Sequence, residues 1–310
     1  MSTAFVFPGQ GAQTIGMGKA LAEAYPQAAA VFEEVDAALG EKLSHLIWEG
    51  DLETLTLTEN AQPALMATSI AVMKALEAEG FGLDQASFVA GHSLGEYSAL
   101  AAAGAFSVTD AARLLRTRGR AMQEAVPVGV GAMAAVLGLD VDAVDKVAAA
   151  AAQGEVCELA NENDPSQNVV SGHKAAVERA VILAKEAGAK RALLLPVSAP
   201  FHCALMGPAA DVMAAALSDV TIHAPNVPLV SNVKAEAVSD PYEIRDLLIR
   251  QVTGRVRWKT SVEWMADQGV DAFWEIGAGK ALSGMIRRIA KGSETRSVSS
   301  PDDINALKEG

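Results

Sequence analysis

Short, nearly continuous apolar runs recur along the chain, at residues 4–7, 88–90, 132–137, 156–160, 168–171, 191–197, 229–233 and 272–276, and read as strands. Between them lie longer stretches in which apolar positions return every third or fourth residue: the segment after Gly18, then 26–57, 64–79, 110–125, 141–152, 174–187, 242–253 and 260–268. These read as helices, and the alternation predicts an α/β fold class built on a parallel sheet. The flank at 26–57 carries Glu33, Glu34, Asp36, Glu41 and Lys42 on a face expected to be solvated. Pro63 falls near the start of the helix expected at 64–79, where a missing amide leaves no bond unmade. The last stretch, 292–310, is polar and reads as a loose tail.

The texture changes at residues 129–197, where the elements follow in the order β-α-β-β-α-β. That order is the ferredoxin-like (βαββαβ) arrangement and suffices for a small inserted domain. Val126-Pro127-Val128-Gly129 and the stretch 196–200 read as hinges, so the chain is expected to form a discontinuous larger domain, 1–128 and 198–310, around an insert at 129–197. Asn161 and Asn163 fall in Asn-Glu-Asn-Asp-Pro, read as a turn whose amides either shape the loop or face the cleft.

Half of the 310 residues are apolar, enough for a large core, yet no apolar run approaches the roughly 20 residues that span a bilayer. The start lacks a basic segment and a cleavage site, so a cytoplasmic protein is expected. Two cysteines, Cys157 and Cys203, have no metal-like spacing and fit a reducing compartment, with no metal site expected. A net charge of −13 disfavours nucleic acid and anionic membrane as partners. Local basic clusters remain, at Arg255, Arg257 and Lys259 and at Arg287, Arg288 and Lys291, either merely solvated or able to meet an acidic protein.

Candidate chemistry begins at residues 88–100, FVAGHSLGEYSAL, which reads as strand, sharp turn and helix. The turn matches G-x-S-x-G, with Gly91 and Gly95 clearing space for a strained Ser93 whose hydroxyl projects into a cleft. The Leu94 amide, at the first turn of the helix, would point the same way as an oxyanion donor. The alternative is a glycine-rich turn whose serine only caps the helix. After the first strand, Pro8-Gly9-Gln10-Gly11-Ala12-Gln13 fails both phosphate patterns, since Thr14 and Met17 stand where glycine and lysine are required. Gln10 and Gln13 lie either on a solvated turn or at the sheet edge where α/β folds place ligands.

On the helix at 110–125, Arg113, Arg116 and Arg120 cluster on one face, expected to be solvated, whereas Arg118 falls among Ala111, Leu114, Leu115 and Met122. A buried guanidinium needs an anionic partner, either a structural carboxylate or one belonging to a substrate. Gly119 would permit close approach to it. Of five histidines, His45 lies in the charged flank, His173 begins a helix, His223 sits in a loop and His92 points away from its neighbour Ser93. His202 remains as a base for the serine, the other possibility being a structural histidine. Asp211, a backbone carbonyl or an amide could orient its ring.

Taken together, FVFPGQGAQ at 5–13, GHSLGEYSAL at 91–100, TRGRAMQ at 117–123, ANENDPSQNVVSG at 160–172, PFH at 200–202 and QVTGRVRW at 251–258 resemble the malonyl-CoA:acyl carrier protein transacylases of fatty acid synthesis. The resemblance covers about residues 4–291 and implies an α/β-hydrolase-like core with a ferredoxin-like insert. It implies that Ser93 takes a malonyl group from malonyl-CoA as an ester and passes it to the phosphopantetheine thiol of acyl carrier protein. By the same resemblance His202 is the general base, the Gln251 carbonyl orients it, Gln10 and Leu94 form the oxyanion hole, and Arg118 grips the malonyl carboxylate. Gln62 and Asn161 match cleft-lining positions. No permanently bound cofactor is implied, coenzyme A entering as a thioester substrate, and the enzyme is expected to be a monomer that meets its acidic carrier transiently.

Departures from the family pattern are few. Cys203 and Ala204 stand where Ser-Pro is common, and Arg255 where proline is usual; Cys203 is either a reactive thiol or a packed one. Two rival functions share these residues: a serine hydrolase, disfavoured by a buried arginine that a neutral ester would leave unpaired, and a non-catalytic acyl-binding scaffold, disfavoured by the intact Ser93 and His202.

Overall fold

The structure, a computed structural model, describes residues 2–197 and 199–309. Met1, Ser198 and Gly310, on which outer bounds of the expected domains fall, lie outside the described residues. Among the described residues ten strands form two sheets: β1 (Thr3–Phe7), β2 (Ala86–Gly91), β3 (Gly131–Leu137), β4 (Cys157–Asp164), β5 (Gln167–His173), β6 (Arg191–Leu194), β7 (Leu229–Val230), β8 (Ala237–Val238), β9 (Ala272–Ile276) and β10 (Glu294–Val298). The larger sheet runs β10-β9-β1-β2-β7-β8 and is parallel except for β8; the smaller is antiparallel, in the order β4-β5-β3-β6.

Strand β1 is apolar at consecutive positions because both of its faces are covered. Phe5 and Phe7 enter one core, with the helices Thr58–Ala78, Gly95–Ala102 and Val108–Glu124. Ala4 and Val6 enter another, with Trp258, Val262, Leu282 and Ile286 of the helices Trp258–Asp267 and Ala281–Ile289. Two-sided burial of this kind is the rule for parallel sheets. Helix Thr58–Ala78 is enclosed on nearly every side and is the central member of the first layer. The chain leaves β1 toward neighbours on both sides, so the loops after β1 and β2 open a crevice at the C-terminal edge of the sheet.

The smaller sheet packs Ala134, Val136, Leu159 and Val170 against the helices Val141–Ala152 and Lys174–Glu186, and turns Met133, Ala160 and Val169 toward that crevice. Strand β4 ties the two sheets together. Asn161 bridges Val256 in parallel fashion, the Glu162 carboxylate accepts from Thr260, and Arg288 pairs with Asp164 at 2.8 Å.

Several expectations are corrected. Residues 294–309 form no loose tail: β10 completes the parallel sheet beside β9, and helix Pro301–Glu309 buries Ile304. Its mixed pattern hid it because β10, at the edge, is mostly half-buried. The Asn-Glu-Asn-Asp segment belongs to β4, a buried polar strand, with the turn moved to residues 165–166. Asp36 is buried rather than solvated; its carboxylate accepts from the Ser44 amide and hydroxyl, joining Pro26–Leu39 to Leu43–Glu49. Pro63 lies inside its helix, which starts at Thr58; Asn60 and Gln62, in the turn before it, accept from the arginines of the neighbouring helix.

Glu275, fully buried at the end of β9, accepts from the Leu282 and Ser283 amides at 3.0 and 2.7 Å and so seats helix Ala281–Ile289 on the sheet. Replacing it with alanine should cost about 2–4 kcal/mol in urea denaturation, since two bonds to a charged acceptor are lost.

Candidate active site

Ser93 has φ of +54°, a left-handed conformation that costs a side-chain-bearing residue roughly 1–2 kcal/mol. The flanking glycines make the turn possible. A Cβ on Gly91 would lie 1.9 Å from the Gly95 carbonyl oxygen, and one on Gly95 would lie 2.3 Å from that of Phe7. Asn232, which follows β7, pins the turn from beneath: its Oδ1 accepts from the Ser93 amide at 2.8 Å and its Nδ2 donates to the Gly91 carbonyl at 2.6 Å. The serine hydroxyl stands 2.8 Å from Nε2 of His202.

His202 is itself left-handed, at φ +58°. Its Nδ1 lies 2.9 Å from the Gln251 carbonyl and 3.1 Å from that of Gly254. Two acceptors at Nδ1 place the proton there and leave Nε2 free to accept from the serine. Asp211 has no part in this, being exposed on helix Gly207–Ser218. Burial, reinforced by the nearby Arg118 cation, pushes the His202 pKa down to about 3.

Arg118 is 1% exposed. Nη1 donates to Oε1 of Gln62 at 2.7 Å; Nη2 donates to Oε1 of Gln251 at 2.8 Å and to the Ser93 hydroxyl at 3.1 Å. Its hydrogen-bond partners are therefore amides and a hydroxyl. Helical phase thus placed Arg118 correctly, but Arg116 is also buried, held by Glu41 and Asn60. Those partners come from distant segments, so no pattern within the arginine helix announces them. Gly119 serves a different purpose from the one expected: a Cβ there would meet the Thr58 carbonyl and Glu59 backbone at 2.6 Å, so it lets two helices close up.

Gln10, Gln62, Leu94, Arg118, Asn161 and His202 converge with Ser93 on one cavity of about 180 Å³, roofed by Met133, Leu195, Val197 and Phe201. Gln251 reaches the same residues from helix Pro241–Thr253, its side chain bonded to Arg118 and its carbonyl to His202. Gln13 folds back onto the Gly11 amide, and its Nε2 donates to Thr56. Asn163 bonds His92 at 2.9 Å across the two sheets, which occupies the second histidine next to the serine. Asn232, Gly254 and Glu96 were not singled out from sequence. A polar residue just beyond a parallel strand's C-terminal end was the available signal for Asn232.

The family model described as "Acyl transferase domain" matches residues 4–299. A protein of Escherichia coli strain K12 described as malonyl CoA-acyl carrier protein transacylase is 48% identical over 306 residues, spanning 99% of this chain and 98% of that one. The chain belongs to the malonyl CoA-acyl carrier protein transacylase family. Among solved structures of this family, the acyl-carrier-protein-S-malonyltransferase of Bartonella henselae superposes with a TM-score of 0.97 at 55% identity, covering 100% of this chain and 99% of that one. A second, at TM-score 0.96 and 43% identity with full coverage of both chains, is a malonyl-transacylase in complex with its type II PKS acyl-carrier protein.

The residues expected to depart from the family pattern are each held by their surroundings. Arg255 bonds Asp145 and the Leu159 carbonyl, bracing the insert at the base of the His202 loop. Cys203 is fully buried, donates to the Pro200 carbonyl, and burial pushes its pKa up to about 11. Cys157 is likewise buried and raised to about 11. Ellman's reagent should therefore detect no thiol in the native protein and two after denaturation; prompt reaction of one native thiol would show Cys203 to be reactive.

Proposed function

We propose that this chain moves the malonyl group of malonyl-CoA to the phosphopantetheine thiol of acyl carrier protein, through a Ser93 ester and a ping-pong sequence, in fatty acid synthesis. The observation that carries the reading is Arg118: a buried cation beside the nucleophile, hydrogen-bonded only to neutral groups, the one nearby carboxylate, Glu96, reaching it through Gln251 rather than directly. A malonyl carboxylate fits that place while its thioester carbon faces Ser93.

His202 takes the Ser93 proton at Nε2 as the hydroxyl attacks the thioester carbon. The developing oxyanion lies against the Gln10 and Leu94 amides, donors typically worth ~10²–10³ each in rate. The carbon–sulfur bond breaks, the departing thiol takes the proton back from His202, and the malonyl ester remains. The carrier thiol then repeats these steps in reverse order. Bonds and protons balance with the enzyme's own side chains and the two thiols, and no permanently bound cofactor is invoked. Gln62 and Gln251 hold the arginine in line, and Asn161 lines the entrance.

For architecture, we place an α/β-hydrolase-like core at residues 1–128 and 198–310 around a ferredoxin-like insert at 129–197; the β-α-β-β-α-β order and the four-stranded antiparallel sheet support this. Among the described residues no helix is long and apolar enough to cross a membrane, and the reading carries with it a cytoplasmic monomer. Carrier docking is assigned to Arg287, Arg288 and Lys291, exposed at the end of a helix whose first turn lines a cavity next to the active one.

Arg118→Ala should lower the preference for malonyl-CoA over acetyl-CoA by about 10–100-fold, the equivalent of a charge-assisted bond; unchanged preference would refute the assignment. Because His202 stays neutral in the free enzyme well below its ordinary range, kcat/KM for acyl-enzyme formation should show no acidic limb between about pH 5 and 7. A limb near the usual histidine value would contradict this. Charge reversal at Lys291 and Arg287 should slow transfer to the carrier while leaving acylation by malonyl-CoA intact, and equal loss in both would remove the docking role.

A further inference from the structure

Glu96 is fully buried one turn after the nucleophile, and the proposed chemistry gives it no task. Its Oε2 accepts from Nε2 of Gln251 at 2.6 Å. The same Nε2 donates to the Ser93 carbonyl at 2.9 Å, so both amide protons meet acceptors and that end of the side chain must be the nitrogen. Oε1 is thereby turned toward Nη2 of Arg118, which in turn lies 3.1 Å from the Ser93 hydroxyl. Carboxylate, amide, guanidinium and nucleophile form one chain of directed hydrogen bonds, its first three members buried and the last at the cavity.

We propose that Glu96 is the positioning residue of the acyl site: its carboxylate fixes the Gln251 amide and so holds Arg118 in register with Ser93. The inference rests on the malonyl-transfer reading. Without Glu96, the Gln251 NH₂ keeps the Ser93 carbonyl and a long 3.4 Å contact to Oδ1 of Asn232 but loses its only charged acceptor, and it is freer to turn toward the guanidinium, donor against donor. Arg118 then loses its place, and the acyl carboxylate loses its grip. Glu96 also supplies a negative charge near the guanidinium when the site holds no acyl group, without bonding it, which leaves the second hydrogen of Nη1, and the Nη2 hydrogen now directed at the Ser93 hydroxyl, for an incoming carboxylate.

A second consequence concerns pH. Burial pushes the Glu96 pKa up to about 7, with Gln251, Asn232, Ser231 and Arg118 acting in the opposite direction. The groups that face it do not titrate in that range: Tyr97 on its own helix is raised to about 12, Arg118 remains a cation, and His202 and His92 are both lowered and neutral. A malonyl carboxylate on Arg118 disfavours a second negative charge nearby, so malonyl binding draws a proton onto Glu96. The apparent KM for malonyl-CoA should then rise with pH above about 7, at most about tenfold per pH unit, whereas that for acetyl-CoA should not.

The test compares Ser93 acylation by malonyl-CoA and acetyl-CoA in wild type, Glu96→Ala and Glu96→Gln, each across pH 6–9. Glu96→Ala should reduce the malonyl-to-acetyl ratio of kcat/KM by about tenfold, chiefly through KM, as expected for a displaced charge-assisted contact. Glu96→Gln offers its own carbonyl oxygen to Gln251, so it should keep the preference for malonyl and lose the rise of KM above pH 7. The proposal is overturned if Glu96→Ala leaves the ratio unchanged, if both acyl groups suffer equally, or if Glu96→Gln retains the wild-type pH profile. Should the alanine variant fail to fold, the glutamine variant's pH profile decides. Absence of a malonyl adduct on the wild-type protein would instead refute malonyl transfer itself.

Discussion

A guanidinium cannot be discharged and is costly to bury, and the centre of this molecule is arranged to keep one buried beside a nucleophile. Arg118 is reached by amides from two helices, Gln62 from Thr58–Ala78 and Gln251 from Pro241–Thr253, and it lies 5.7 Å from the ring centroid of Tyr97. Each of those helices must sit at a fixed height against the sheet. The amide of Gln251 also bonds the Ser93 carbonyl, and its backbone carbonyl bonds His202. The charge, the nucleophile and the base are thus held by one residue, and a displacement of any of them is felt by the others.

Backbone strain serves the same end. Ser93 and His202 both occupy the left-handed region, on opposite sides of the hydrogen bond that joins them. The serine is kept there by glycines that admit no side chain and by Asn232 beneath it. The histidine is kept there by two carbonyls of the 251–254 turn, which Val256 fastens to β4 of the smaller sheet. Strain of this kind persists only where the surroundings over-determine it. The inserted sheet therefore does more than roof the cavity, since its strand β4 anchors the segment that orients the base.

Features governed by local sterics or by a single helix's phase were legible in sequence. The glycines around Ser93 announced a strained turn, the placement of Arg118 among apolar positions announced its burial, and helix Val141–Ala152 and strand β9 were read at their observed bounds. What escaped depends on partners remote in the chain. Arg116 shares a face with exposed arginines and is buried because Glu41 and Asn60 come to it. Asn161 to Asp164 look like a turn by composition and are a strand because the junction between the sheets supplies their partners. Glu96 stands within the GHSLGEYSAL stretch without a role that its type or spacing announces, and only the position of Gln251 gives it meaning. Strand β10 was lost because an edge strand need not be apolar.

The most direct measurement is the intact mass of the protein after brief exposure to malonyl-CoA, in parallel with acetyl-CoA and with the Ser93→Ala variant, followed by addition of acyl carrier protein bearing its phosphopantetheine arm. A malonyl adduct that requires Ser93, dominates over acetyl, and leaves when the carrier is added is the predicted result. No adduct, or one formed equally from acetyl-CoA, would contradict a transferase built around Arg118 and return the site to a hydrolase or an acyl-binding scaffold.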